Sequence, residues 1–424
     1  MTTERPSISR RRFLELTALA SGAAILEACG PDGPASPLAG TAAATGSAPV
    51  DEASASSSPL PTAGAAPSAT AASATAESAA TSTASTPPRR VLIRNASLAD
   101  GRSARLRTGL SLLVADRRIA WLRPADDEGD PGSSSDLELV DGRGATIVPG
   151  LVDSHSHLAL PGGANWIERI LDPPERLLRV AEENGELAFH AGIRWFRDVG
   201  SPSGEDPTDG RRRALALGIR DRWQGRPDRP SVRAAGTWLA PPGVLPAGAA
   251  IDVRDADELH AAALGQLDQG ADFVKLYVQS PSPEVAPWSG TEIRRVVDAV
   301  HARGAKVAAH VQRLGPARAA VAGGVDSLEH GFRLDADLAR RMARQGTFLV
   351  STLTVPRSFL AIGRAARNTP FSSAAGRRSA MALLRDAEAS VRIAHAAGVR
   401  IAAGTDFGGG SGRANQLAWE VESL

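Results

Sequence analysis

The chain has 424 residues, 42% of them apolar, and a formal net charge of +1. It therefore has material for a sizeable core, and no bulk charge pointing to nucleic acid or an acidic partner. One cysteine, Cys29, excludes an intramolecular disulfide.

Residues 1–28 read as a targeting segment outside the fold. Ser9-Arg10-Arg11-Arg12-Phe13-Leu14 resembles a twin-arginine export signal, and the apolar run that follows, Leu16 to Leu26, is too short to span a bilayer as a helix. Leu26-Glu27-Ala28-Cys29-Gly30 resembles a bacterial lipoprotein processing site with Cys29 as the acylated residue, although Glu27 stands where a small residue is usual. A lone thiol at the end of an export signal is better explained as a lipid anchor than as a reactive group. The expectation is an exported protein, periplasmic or membrane-anchored, that meets the membrane through a lipid anchor only. Residues 29–88 are nearly all Ala, Ser, Thr, Pro and Gly, with no aromatic residue, and predict a disordered tether rather than a domain.

Residues 89–149 predict a partial β-sandwich. Short β-rich runs at 91–95, 110–115, 118–122, 137–140 and 146–148, with turn signals at Asp100-Gly101 and Asp116-Arg117, predict a small antiparallel sheet. From 150 to 424 strands alternate with helices. The expected strands are 151–156, 193–199, 231–237, 273–278, 306–311, 327–329, 347–354 and 399–405; helices are expected at 174–190, 256–269, 290–303, 335–345 and 372–397. Eight strands with interleaved helices fit an α/β chain folded as a (β/α)8 TIM-like barrel, with the active site at the C-terminal strand ends. A doubly wound open sheet fits less well, because it gives no reason for ligands on so many strands.

The first of those strands carries His155-Ser156-His157. Side chains alternate along a strand, so both imidazoles share a face and can bite one metal ion. Alone the pair is weak evidence. It gains weight from Lys275, His310, His330 and Asp406, each at or near the mouth end of a later strand. Lys275 stands out because the chain uses arginine almost throughout, with lysine only at 275 and 306. An ammonium cannot bind a cation, but burial lowers a lysine pKa, and the neutral amine can capture carbon dioxide as a carbamate able to bridge two metals. The plainer alternative is a lysine that snorkels to the rim or pairs with a carboxylate.

Together, Gly-Leu-Val-Asp-Ser-His155-Ser-His157, Lys275, His310, His330 and Gly-Thr-Asp406 resemble the binuclear branch of the amidohydrolase superfamily, above all its imidazolonepropionase-like and Xaa-Pro dipeptidase-like members. Phe196-Arg197-Asp198-Val199-Gly200 is similar to the family's second-strand motif, and the resemblance covers roughly residues 90–420. It implies one metal on His155, His157 and Asp406, a second on His310 and His330, and carboxylated Lys275 with a hydroxide between them. Zinc suits these ligands best. The resemblance also implies that Asp406 takes the hydroxide's proton during attack and passes it to the leaving amine. Imidazolonepropionases proper lack the strand-four lysine, so Lys275 argues for two metals.

Three further residues invite smaller assignments. Tyr277, the only tyrosine, shares the face of Lys275 and can donate to a substrate carbonyl or carboxylate, or simply pack at the rim. Asp153 is placed to steady a ligand histidine. Gly408-Gly409-Gly410 reads as a mobile lip. The remaining histidines, 190, 260, 301 and 395, fall on helices and have no expected role in catalysis. The chain stops about eighteen residues past Asp406, where family members continue, so a C-terminally truncated scaffold is expected.

The leading function is metal-dependent hydrolysis of an amide C–N bond in a small cyclic amide or dipeptide-like substrate. A lactonase, esterase or phosphotriesterase at the same site, or an inactive binding protein, are the alternatives. Specificity is expected in loops 159–175, 201–215, 238–255 and 279–290.

Overall fold

The computed structural model describes residues 90–424 apart from 104, 131, 133, 134, 281, 411 and 413. The expected export signal, Cys29 and the 29–88 tether lie outside the described residues. The described chain divides after Pro149 into two compact units.

The first unit is one five-stranded sheet. Strands β1 (Arg90–Leu98), β2 (Arg107–Ala115), β3 (Arg118–Pro124), β4 (Leu137–Asp141) and β5 (Thr146–Ile147) run in the order β3-β2-β1-β4, with β5 also on β1. The sheet is mixed, not antiparallel as expected: β1 pairs antiparallel with β2 but parallel with both β4 and β5. The long connection from β3 lets the chain cross over and return in the direction of β1, which a run of hairpins cannot do. Leu92, Ala96, Leu110, Leu112 and Leu113 supply its buried apolar residues.

The second unit holds β6 (Leu151–Ser156), β7 (Ile193–Asp198), the hairpin β8 (Ser203–Glu205) and β9 (Arg212–Ala214), β10 (Ser231–Ala234), and two short strands, β11 (Leu239–Ala240) and β12 (Ile251–Asp252). Then come β13 (Phe273–Tyr277), β14 (Lys306–Val311), β15 (Ser327–His330), β16 (Phe348–Ser351) and β17 (Ile401–Ala403). Eight of these, β6, β7, β10, β13, β14, β15, β16 and β17, follow the expected order and pair in parallel, with helices between most of them, as in a (β/α)8 barrel.

The seventh and eighth barrel strands are shorter than the sequence suggests. A helix, Thr354–Ala365, begins inside the expected seventh strand, because Thr354 already serves as its first residue. The β-branched run Thr347–Thr354 therefore conceals a strand-to-helix switch.

The ring is laddered in two arcs, β10-β7-β6 and β13-β14-β15-β16-β17, each seam between them being spanned by one backbone bridge, Ser156 to Phe407 and Ala235 to Phe273. Buried or half-buried carboxylates take over where ladder bonds are missing. At one seam Asp153 on β6 accepts from Thr405 backbone N–H at 3.0 Å and Thr405 Oγ1 at 2.6 Å. At the other, Asp272 accepts from Ala234 N–H at 2.9 Å and from Arg220 and Arg233 at 2.9 and 2.8 Å. Buried backbone donors left without such acceptors would each cost about 1–3 kcal/mol.

Candidate metal centre

His155 and His157 come from the end of β6, His310 and His330 from the ends of β14 and β15, and Asp406 from just past β17. All five are at least nine-tenths buried. Nε2 of His155 and Nε2 of His157 lie 3.4 and 3.3 Å from one oxygen of Asp406. These three residues form the one compact cluster of metal-capable ligand atoms among the described residues. The His330 ring stands 4.8 Å from that of His155 and 4.6 Å from that of His310, which extends the cluster across three strands.

Two ligands sit in the left-handed backbone region, His330 at φ 69° and Asp406 at φ 51°. Such conformations cost non-glycine residues about 1–3 kcal/mol and are retained where the site requires them. At His330 the consequence is visible. Strand alternation would send residues 329 and 330 to opposite faces, yet Glu329 and His330 both reach the His155 ring.

Each histidine has one ring nitrogen held by the protein. His155 Nδ1 is 2.7 Å from Glu329 Oε2, and His157 Nδ1 is 2.8 Å from the Gly200 carbonyl. His330 Nδ1 is 2.8 Å from Thr352 Oγ1, and His310 Nε2 is 2.8 Å from Gln279 Oε1. Carbonyl and carboxylate oxygens only accept, so His155 and His157 carry their proton on Nδ1 and His310 carries it on Nε2. The opposite nitrogen of each is left with its lone pair, the tautomer a ligating histidine needs. Burial holds His310 and His330 well below the ordinary imidazole range, with neighbouring His330 and Lys275 adding to the effect at His310 and His155 at His330, so both stay neutral.

Glu329 is fully buried, and burial disfavours its charge. Arg197, Lys275 and His155 outweigh that and hold it well below the carboxylate range. Arg197 bridges Glu329 Oε1 at 3.0 Å and the Ser154 carbonyl at 3.0 Å, while Ser327 Oγ donates to the same Glu329 oxygen at 2.6 Å. Asp406 shows the same balance: burial opposes its charge, and the neighbouring His155, His157 and His330 hold it well below the usual range.

Lys275 is 1% exposed, and its Nζ has no hydrogen-bond partner among the described residues. Burial brings its pKa down to about 8. A buried amine without an acceptor is costly as it stands. Its neutral form is the one that adds carbon dioxide, and a carbamate in its place would present oxygens to the histidine cluster. Four imidazoles, a carboxylate and this orphaned amine form a donor set that suits divalent metal ions.

Some expectations change. Asp153 does not steady a histidine ring; its carboxylate accepts from the His155 backbone N–H at 3.2 Å and from Thr405, so it sets the two chain segments that carry the ligands. Gly408 to Gly410 are buried, not a projecting lip. Gly408 has φ +86°, and a Cβ there would come within 2.2 Å of the His157 carbonyl oxygen. Tyr277 stacks on the His310 ring at 3.9 Å and 12°. The sequence reading missed Glu329, Gln279 and Thr352. An acidic residue inside a short apolar strand marks Glu329, and Gln279 continues the alternation Lys275, Tyr277, Gln279. Nothing local marked Thr352.

A parallel αβ barrel with these side chains at its strand ends defines a class, the metal-using hydrolases. Residues 146–422 match the sequence profile of the amidohydrolase family, and the chain belongs to that family, whose members hydrolyse carbon–nitrogen bonds. It is 32% identical over 305 residues to an uncharacterized protein of Mycobacterium tuberculosis, covering 71% of this chain and 72% of the relative. A shorter stretch of 109 residues, 24% of this chain and 26% of the relative, is 32% identical to an imidazolonepropionase of Anaeromyxobacter dehalogenans. In three dimensions the chain is similar to a Xaa-Pro dipeptidase with bound methionine in its active site, with a TM-score of 0.64 and 24% identity over 79% of this chain and 84% of the other.

Proposed function

We propose that the protein hydrolyses the amide bond of a small dipeptide-like or cyclic amide substrate, using two divalent metal ions, zinc foremost. The observation that carries this reading is Lys275, a buried amine with no partner that acts on His310, His330 and Asp406, in a site where each of four histidines has one ring nitrogen held. His155, His157 and Asp406 would hold one ion and His310 and His330 the other, and Lys275 as its carbamate would supply a further oxygen donor. Bound metals supply Lewis acidity toward the substrate carbonyl and lower the pKa of water.

The chain's own residues do the rest. Asp406 is ionised at neutral pH, as a proton acceptor must be, and takes the proton of the attacking water before handing it to the leaving nitrogen. Trp238, 5.4 Å from the His157 ring, and Phe332, 5.7 Å from the His330 ring, wall the site with apolar surface and limit water. Tyr277, placed by its stacking on His310, donates to the substrate carbonyl or carboxylate. The likeness to a Xaa-Pro dipeptidase supports a dipeptide-like substrate, and the local likeness to an imidazolonepropionase supports a cyclic amide. Export and acylation at Cys29 are part of the same proposal, supported by the arginine run 10–12 and the apolar segment that follows.

The test is metal content of the full chain beside Lys275→Ala, with a hydrolysis panel of Xaa-Pro dipeptides, cyclic amides and lactones. About two ions per chain are expected, falling to one or fewer in the variant. A folded chain that takes up no metal overturns the reading. Turnover confined to lactones would replace the amide assignment with an ester one.

A further inference from the structure

The C-terminal helix, Leu417–Ser423, carries a carboxylate that the chemistry above does not use. Glu420 is fully buried. It accepts from Ser351 Oγ at 2.9 Å, Leu353 N–H at 3.0 Å, Thr354 N–H at 2.7 Å and Thr354 Oγ1 at 2.6 Å. These donors lie in the turn between β16 and the helix Thr354–Ala365. That helix starts without a side-chain cap of its own, since its N-cap residue is Leu353. The first N–H groups of a helix have no partner inside it, and a carboxylate is the best acceptor for them. Glu420 thus caps one helix from another that is 66 residues away along the chain.

Thr352 gives Glu420 no hydrogen bond but is gripped on both sides through Ser351 and Leu353. The Thr352 hydroxyl is what meets His330 Nδ1. His330 itself stands in a left-handed conformation, so its backbone alone does not settle where the ring points.

We infer that Glu420 is a positioning residue for the metal centre: by clamping residues 351–354 it holds the Thr352 hydroxyl on His330 and so selects the tautomer and orientation of that ring. The effect on metal binding rests on the hydrolase reading above, whereas the effect on the ring does not. Coupling of this kind passes through hydrogen bonds with two discrete arrangements, not through distance alone. Metal ligands deprived of their outer hydrogen-bond partner typically lose 10- to 100-fold in metal affinity.

The experiment uses the full chain with 15N-labelled histidine, metal-free, in wild-type, Glu420→Gln, Thr352→Val and Thr354→Val forms. Gln places an N–H group against donors that need an acceptor, whereas Thr354→Val removes only one of the four donors and serves if Glu420→Gln does not fold. Ring nitrogen shifts should report one dominant His330 tautomer in the wild type and a mixture of tautomers in all three variants, least in Thr354→Val. Zinc titration should then show the weaker of two binding steps reduced by roughly 10-fold in Glu420→Gln and Thr352→Val. A Glu420→Gln/Thr352→Val double variant should be no weaker than Thr352→Val alone, because both changes act through one contact. Unchanged His330 shifts in the folded variants overturn the proposal, as do effects that multiply in the double variant. If the variants show the shift changes but the wild-type chain takes up no zinc, the metal-hydrolase reading fails and the clamp stands.

Discussion

The two halves of the metal centre are held in opposite ways. His155, His157 and Asp406 straddle a seam of the barrel where a single backbone bridge joins β6 to the segment after β17. Two backbone hydrogen bonds cross here, Asp406 N–H to the His155 carbonyl at 2.7 Å and His157 N–H to the Phe407 carbonyl at 2.9 Å, and side chains supplement them, with Asp153 tying the segments together and Glu329 fixing the His155 ring. His310 and His330 instead stand on adjacent strands of an unbroken arc, where β14 and β15 pair over four residues. There the backbone sets the spacing, and side chains need only choose a tautomer, through Gln279 and Thr352. Polar side chains reinforce the framework where backbone bonds are few and only refine it where ladders are present. Defects at the seam should therefore cost more than defects on the arc.

Three predictions test that contrast, beginning with the largest effect. Replacing Asp406 with Asn removes a ligand and the proton acceptor together, and kcat on any substrate found in the panel should fall by about 10³-fold or more. A smaller loss would mean that Asp406 does not move the proton. Next, Glu329→Gln is set against Gln279→Ala, with metal affinity read by competition with a chelator. The seam-side change should weaken the first ion by up to roughly 100-fold, since it also leaves Arg197 facing a neutral group, and the arc-side change should weaken the second by about 10-fold. Equal losses, or the reverse order, would break the comparison.

The smallest effect concerns stability. In the metal-free chain burial holds Lys275 near 8, below its unfolded value of about 10.5. The unfolded chain thus binds the extra proton between those two values, and stability rises with pH across that window. Lys275→Met, which carries no charge to bury, should be more stable at pH 7 by up to roughly 3 kcal/mol, with the gap closing as pH rises from about 8 towards 10.5. Denaturant melts at several pH values read this directly. A gap independent of pH would place the amine in contact with water.

The candidate ligand set was legible because its residues stand at strand ends in chain order. His155 and His157 share a face by alternation alone, and a lone lysine in an apolar strand among arginines is conspicuous in any sequence. The parallel barrel followed from the alternation of strand and helix. What escaped notice was each contact made across the ring. Glu329 was overlooked because alternation assigns it the face opposite His330, and only the left-handed turn at His330 brings both to one ring. The mixed pairing of β1 escaped because direction is set by crossover connections and not by local pattern.

By itself, then, the sequence determined which residues could bind metal, the order of the strands that present them and the need for a special role at Lys275, since periodicity and residue chemistry are local properties. The tertiary structure alone decided which nitrogen of His155, His157 and His310 is free, how the two seams are reinforced by Asp153 and Asp272, and that Glu420 in the last helix grips the turn behind His330. Those outcomes depend on which donors and acceptors are brought within about 3 Å by packing, and separations of 31 to 252 residues along the chain leave no local trace of them.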